Sequence, residues 1–188
     1  MIYLSRYNQS WAILPVLAIT PIFLQTHLHL DHSGAIGHFP NATHITQRLE
    51  YDYAFNPDWF SGPAYIRADF DKPNIRWKFL QGRKTDFYDV YDDGIIKLIF
   101  TPGHTPGHQS VLVNLPKTGH MLFTGDACYT GDHWCDKCLP GLVSSSSDAA
   151  ESVKKLRRVA KEHDAKVVWG HDPVAWLDWK KAPMFYYD

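Results

Sequence analysis

Cysteine is scarce in this 188-residue chain, with Cys128, Cys135 and Cys138 the only three. That number excludes a disulfide scaffold and suits a reducing cytosol. Cys135 and Cys138 form a single C-x-x-C, which without a second pair nearby is weak evidence for redox or metal chemistry. Basic runs are absent too. Lys plus Arg total 19 against 20 for Asp plus Glu, so a nucleic-acid partner held by phosphate neutralisation is not expected. Nor does any apolar stretch reach membrane-spanning length. The segment WAILPVLAITPIFL (residues 11–24) is 14 residues long, is interrupted by Pro15 and Pro21, and has no small-x-small cleavage site behind it. It reads as a packed approach segment that ends in a strand over residues 22–26. Repeats and long linkers are missing as well. The expectation is a cytoplasmic protein with no membrane partner.

What is present is ordinary globular material, 45% apolar and 21% charged. A chain of this length usually makes one domain, residues 1–188, and can bury roughly 70% of its unfolded surface. Several short apolar segments read as strands that run into polar loops: IIKLIF (95–100) into Thr101-Pro102-Gly103-His104, SVLVNL (110–115) into a Pro-Lys-Thr-Gly turn, MLFT (121–124) into Gly125-Asp126, and KVVW (166–169) into Gly170-His171-Asp172. One helix is plain. Asp148 is its expected cap, with Glu151 completing a capping box, and Ala149, Val153, Leu156 and Ala160 recur at helical spacing. Strands interspersed with helices predict a layered α/β fold.

Residues 51–93 differ from the rest, holding 12 of the 27 aromatic residues in 43 positions, with several Pro and Gly and no sustained period. Two readings stand side by side: an irregular insert packed by its own rings, or the wall of a substrate pocket.

The chemistry concentrates in LQTHLHLDHSGAIGHFPN, residues 24–41. In an extended segment residues two apart share a face, so His27 and His29 point one way while Leu28 and Leu30 point to a core. Asp31 and His32 follow where the chain turns toward a helix and approach the same point from a second direction. Neutral imidazole nitrogen and anionic carboxylate oxygen are the donors that borderline divalent metals take. His104, Asp126 and His171 each sit just past the end of an expected strand and beside a glycine, the usual way for a rigid sheet to present polar groups. Five histidines and two aspartates suffice for two metal ions if one carboxylate is shared. Such a pair activates water as hydroxide at neutral pH and polarises a carbonyl, which favours hydrolysis of an ester, lactone, thioester or amide. His38, His44, His120, His133 and His163 have no partner pattern and read as surface or structural, while His108 is the best candidate to support a ligand from behind.

At these residues the chain resembles the metallo-β-lactamase superfamily, an αββα sandwich with a two-metal site at its edge. Within it the closest likeness is to the N-acyl-homoserine lactone lactonases, carried by THLHLDHSGAIGHFPNA, TPGHTPGHQS, LFTGDACYT and GHD. The resemblance implies one ion on His27, His29 and His104, a second on Asp31, His32 and His171, and Asp126 bridging. Zinc is expected first, with iron, manganese and cobalt also tolerable. It further implies that Tyr129 hydrogen-bonds the substrate, as a phenol facing a developing oxyanion can, and that Asp31 passes a proton to the leaving alkoxide. One departure stands out: family members carry further strands ahead of the H-x-H-x-D-H segment, whereas only 26 residues precede His27 here. The N-terminal strands are therefore expected to be incomplete. Exposed sheet edges would then invite pairing, which puts a homodimer among the expected states.

The expected activity is opening of a small-molecule lactone, foremost an N-acyl-homoserine lactone. Another hydrolase of the superfamily, a thioesterase or other ester hydrolase, is the alternative, and a truncated metal-binding remnant with little activity is the third reading. The C-terminal WLDWKKAPMFYYD has only two lysines, too few for the basic glutathione site of a glyoxalase II-type thioesterase.

Overall fold

A computed structural model describes residues 22–181, 187 and 188. Nearly all of the proposed approach segment lies outside the described residues. The chain divides into two compact units, residues 1–81 and 82–188.

In the first unit, β1 (Ile22–Leu24), β2 (Thr43–Gln47) and β3 (Arg76–Leu80) form a three-stranded sheet in the order β1-β2-β3, with both pairs parallel. Parallel pairing requires long crossovers. They are supplied by α1 (Leu30–Ser33) and a 3₁₀ turn between β1 and β2, and by α2 (Arg48–Phe55) and α3 (Arg67–Phe70) between β2 and β3. Leu28, Ile36, Ala54, Tyr65 and Phe70 make the main core cluster of this unit. The strand expected over residues 22–26 ends at Leu24, although the Gln25 N–H still donates to the Ile45 carbonyl at 3.0 Å.

The alternation expected beyond it stops early. Leu28 is fully buried, but Leu30 is 45% exposed because it already opens α1, where the two-residue period no longer applies. The aromatic middle segment contains more regular structure than its lack of period suggests: most of α2, all of α3 and β3, and the first strand of the second unit.

His44 on β2 is buried between the rings of Phe23 and Trp77, at centroid distances of 5.2 and 5.5 Å, and its Nε2 meets the Phe39 carbonyl at 3.3 Å. Burial, with Arg76 nearby, lowers its pKa below the ordinary 6.5, and the Phe39 carbonyl offsets this in part. Above pH 6.5 the ring is neutral in both states. Below it the unfolded chain takes up a proton that the folded chain resists, so stability falls until the folded pKa is passed. His44→Gln is therefore expected to lose less stability than the parent between pH 7 and pH 5 in urea titrations. Parallel pH profiles would refute this.

In the second unit, β4 (Phe87–Asp89), β5 (Ile96–Phe100), β6 (Gln109–Leu115) and β7 (Gly119–Phe123) form an antiparallel meander. After β7 come α4 (Gly131–Trp134) and the long α5 (Ser146–Glu162), and β8 (Lys166–Val168) then joins the sheet parallel to β7. The short α6 (Pro173–Asp178) follows. Four of the expected strands thus form within one or two residues of their predicted ends. The inner face of α5 presents Ala149, Val153, Leu156 and Val159, of which Leu156 and Val159 join Ile99, Leu112, Leu122 and Ala127 in one core. Its cap is not the one expected. Ser145 is the N-cap, accepting from the Asp148 N–H at 3.2 Å, and Glu151 pairs with Lys154 at 2.8 Å instead of reaching back. The serine run 144–147 offers a cap one turn sooner, and the helix takes it.

Candidate metal centre

The first unit gathers four of the expected residues. His29 ends the approach to α1 as its N-cap residue, and its carbonyl accepts from the N–H groups of His32 and Ser33, both at 2.9 Å. That turn folds His32 back, so the His27 ring lies 4.1 Å from His32 and 4.6 Å from His29, centroid to centroid. Asp31 Oδ2 stands 3.3 Å from His32 Nε2. His27 and His29 are buried, whereas Asp31 is exposed.

The backbone here is pinned by a residue that the sequence reading passed over. Glu50, fully buried on α2, accepts from the Leu28 N–H at 2.9 Å and from the Tyr65 hydroxyl at 3.1 Å. The Tyr65 ring meets His29 edge-on at 4.6 Å. Burial, reinforced by the Glu50 carboxylate, pushes the Tyr65 phenol far above its usual range, so it acts as a donor. The available signal was position: Glu50 and Ala54 are spaced i, i+4 and form the inward face of α2.

The second unit gathers the other three around one carboxylate oxygen. Asp126 Oδ2 lies 3.4 Å from His104 Nε2 and 3.2 Å from His171 Nε2. These gaps exceed the roughly 2.7–2.9 Å of a charge-assisted N–H···O bond. They match the separation of about 3.4 Å between two ligands that each stand roughly 2.0–2.2 Å from a tetrahedral ion. The donor set therefore fits a divalent metal on either side of Asp126. The proton on His104 is located by its far nitrogen: Nδ1 meets the Leu142 carbonyl at 2.8 Å, and a carbonyl can only accept. Nε2 is thus the lone-pair nitrogen, turned to Asp126, an arrangement in which a backbone carbonyl orients a ligating imidazole.

His108 holds Asp126 from behind, as expected of it. The Asp126 N–H donates to His108 Nε2 at 3.0 Å, so the ring proton is on Nδ1, which donates to Thr101 Oγ1 at 2.9 Å. The chain continues from the Thr101 hydroxyl to Ser110 Oγ, at 2.9 Å, and from Ser110 to the Thr124 carbonyl, at 2.7 Å. Each donor direction in this buried chain follows from the last, and Nε2 of His108 is committed to a backbone N–H.

Tyr129 sits against both histidines, with ring centroids 5.6 Å from His104 and 5.0 Å from His171, and its hydroxyl is 3.3 Å from His104 Nδ1. Its backbone is tied at both ends: the N–H donates to His133 Nδ1 at 3.1 Å, and the carbonyl accepts from the His171 N–H at 3.0 Å. His133, which reads from the sequence as surface or structural, is a support for Tyr129, and burial lowers its pKa so that Nδ1 stays available to accept. Asp172 performs a similar service, accepting from the Gly131 N–H at 3.1 Å and capping α6 through Val174 and Ala175.

The glycines beside these residues do different jobs. Gly103 has φ +135°, a conformation that lets the chain turn at His104. Gly170 is there for close approach: a Cβ on it would stand 2.5 Å from the Gly125 carbonyl oxygen and 3.2 Å from Asp126 Oδ1. Among the described residues no helix is long and apolar enough to cross a membrane. The three thiols are free, Cys128 buried with its pKa pushed up to about 12, Cys135 and Cys138 exposed.

Comparison with known proteins agrees with this geometry. The N-acyl homoserine lactonase AttM of Rhizobium radiobacter is 63% identical over 163 residues, 87% of this chain and 62% of the relative. An N-acyl homoserine lactonase of Bacillus cereus is 35% identical over 149 residues, 79% of this chain and 54% of the relative. The chain thus spans about 62% of the length of AttM. Among solved structures, an N-acyl homoserine lactone hydrolase with the product N-hexanoyl-L-homoserine at its catalytic metal centre superposes with a TM-score of 0.76 at 30% identity, over 89% of this chain and 61% of that one. A model of the metallo-beta-lactamase superfamily matches residues 10–171. With that match over most of its length, and the α/β fold to go with it, the chain belongs to the metallo-β-lactamase superfamily.

Proposed function

We propose that this chain is a metal-dependent hydrolase that opens the ring of N-acyl-homoserine lactones. The observation that carries the reading is Asp126 Oδ2 set at ligand spacing from both His104 and His171, with the Tyr129 phenol beside the same two rings. The lactonase relatives supply the substrate class. We assign His27, His29 and His104 to one divalent ion, Asp31, His32 and His171 to another, and Asp126 to both. Nitrogen and oxygen donors in this mix suit zinc first, then iron, manganese or cobalt.

Two divalent ions held by these residues would supply a water-derived nucleophile at neutral pH and polarise the lactone carbonyl. The chain's own groups do the rest. The buried imidazoles and Asp126 fix the geometry and exclude bulk water. The Tyr129 hydroxyl donates to the oxygen on which negative charge develops. As the ring C–O bond breaks, the exposed Asp31 carboxylate would take the proton from the oxygen that has added to the carbonyl carbon and pass it to the leaving alkoxide. The exposed free thiols of Cys135 and Cys138 support a reducing, cytoplasmic setting.

The test is metal quantitation coupled to a pH-stat panel of acyl-homoserine lactones, with S-lactoylglutathione and a chromogenic β-lactam as competing substrates. Two metals per chain and turnover of the lactones are expected. Turnover of a competitor alone would reassign the substrate, and two metals without any turnover would favour a metal-binding remnant. Tyr129→Phe keeps the ring packing and removes one donor, so kcat/KM is expected to fall about 10²-fold with metal content unchanged. A loss below threefold would remove Tyr129 from the chemistry.

A further inference from the structure

We infer that a tryptophan-walled cleft beside His171 binds the fatty-acyl chain of the substrate, an inference that rests on the lactone reading above. The cleft is a cavity of about 270 Å³ within the second unit, lined by Trp169, His171, Asp172, Pro173, Trp176 and Trp179 among others. Three of the chain's seven tryptophans are thus concentrated in the 11 residues from 169 to 179.

The wall is built, not incidental. Asp172 starts α6 by accepting from the Val174 and Ala175 N–H groups at 3.0 and 2.9 Å. Lys181 Nζ donates to the carbonyls of both Trp176 and Trp179 at 2.7 Å and lies over the Trp176 ring at 4.9 Å. The Trp179 ring packs on Tyr187 at 5.6 Å. These contacts hold the indoles in place while Trp176 stays 58% exposed.

The chemistry of the wall selects its occupant. Asp172 accepts from three backbone N–H groups and Lys181 Nζ donates to two carbonyls, so both polar groups already have partners within the chain. The three indoles and Pro173 make much of the lining apolar, and His171 shares the same cleft. Its volume lies just under the roughly 300–1,000 Å³ of drug-sized ligand sites, which suits a narrow aliphatic chain better than a second ring system. Among the described residues Trp169 Nε1 has no acceptor, and the amide carbonyl at the root of an N-acyl chain is a group that can accept from it.

The experiment compares decanoyl- and butanoyl-homoserine lactone on the metal-loaded protein, with Trp176→Ala as the test variant. Val174→Ala, 73% exposed on the same helix and outside the cleft, is the control. The decanoyl-to-butanoyl ratio of kcat/KM is expected to fall about tenfold in Trp176→Ala, equivalent to about 1.4 kcal/mol, and to hold in the control. An unchanged ratio overturns the proposal. Calorimetric binding of the ring-opened decanoyl and butanoyl homoserines separates the two readings. If no lactone is opened, the proposed function fails, and the cleft then stands only if the long chain binds at least tenfold tighter and Trp176→Ala abolishes that preference.

Discussion

Asp126→Ala is expected to abolish lactone opening, lowering kcat/KM by about 10³-fold or more, or about 4 kcal/mol at 1.36 kcal/mol per decade, and to strip metal from the protein. The reason is the position of one oxygen. Asp126 Oδ2 faces His104 and His171 at 3.4 and 3.2 Å, so under the proposed assignment removing it would take a shared donor from two ions at once. It also removes negative charge from a buried site, which leaves any remaining cation poorly compensated. Folding should survive. The Asp126 N–H that His108 accepts belongs to the backbone, and the chain of hydrogen bonds to Thr101, Ser110 and Thr124 does not use the side chain. The measurement is metal per chain by mass spectrometry, lactone turnover by pH-stat and the circular-dichroism melting curve. Retention of both metals with full turnover would refute the shared-ligand assignment. Loss of metal with no change in a low residual activity would instead mark the chain as a metal-binding remnant.

The two groups of candidate ligands, one in each unit, were legible in the sequence for a physical reason. His27, His29, Asp31 and His32 lie so close along the chain that local geometry alone brings them together, first in an extended segment and then in the opening turn of α1. His104, Asp126 and His171 are far apart in sequence, yet each follows an apolar strand that reports its own position. β5, β7 and β8 all belong to one sheet, so their strand-end loops deliver the three side chains to one place.

The supports were not legible, because each depends on a partner chosen by tertiary packing. Glu50 holds a backbone 22 residues away, and the Leu142 carbonyl orients a ring 38 residues away. His133 lies only four residues from Tyr129, but its role depends on the turn into α4, which a short polar segment does not announce. β3 was a different kind of miss. Arg76-Trp77-Lys78-Phe79 alternates as a half-buried strand should, and the structure gives that burial pattern, but its surroundings of Pro, Gly and aromatic residues concealed a run of only five residues.

Gly103→Ala should be severely damaging, although it adds a single heavy atom outside the ligands. Two independent costs meet at this position. Its φ of +135° is essentially confined to glycine, and holding another residue in such a region costs about 1–3 kcal/mol. A Cβ there would also overlap the backbone nitrogen and Cα of Ala149, which cannot move aside as a flexible side-chain tip could. Nor can the turn shift to relieve the clash. The Gly103 carbonyl accepts from the Ser144 and Ser145 N–H groups at 2.8 and 3.0 Å and from the Ser144 hydroxyl at 2.9 Å, fastening it to the start of α5. Together these place the loss at about 4 kcal/mol or more, within the range reserved for clashes and special backbone conformations. Against a total stability of about 5–15 kcal/mol, that predicts a fall in Tm of at least about 10 °C or failure to accumulate as soluble protein. Gly62→Ala is the matched control, because a methyl group there meets nothing within 4 Å. Its Tm should stay within about 4 °C of the parent, corresponding to about 1 kcal/mol. Equal melting shifts in the two variants would contradict the collision. The expected outcome is that Gly103→Ala alone collapses, taking His104 and its share of the metal with it.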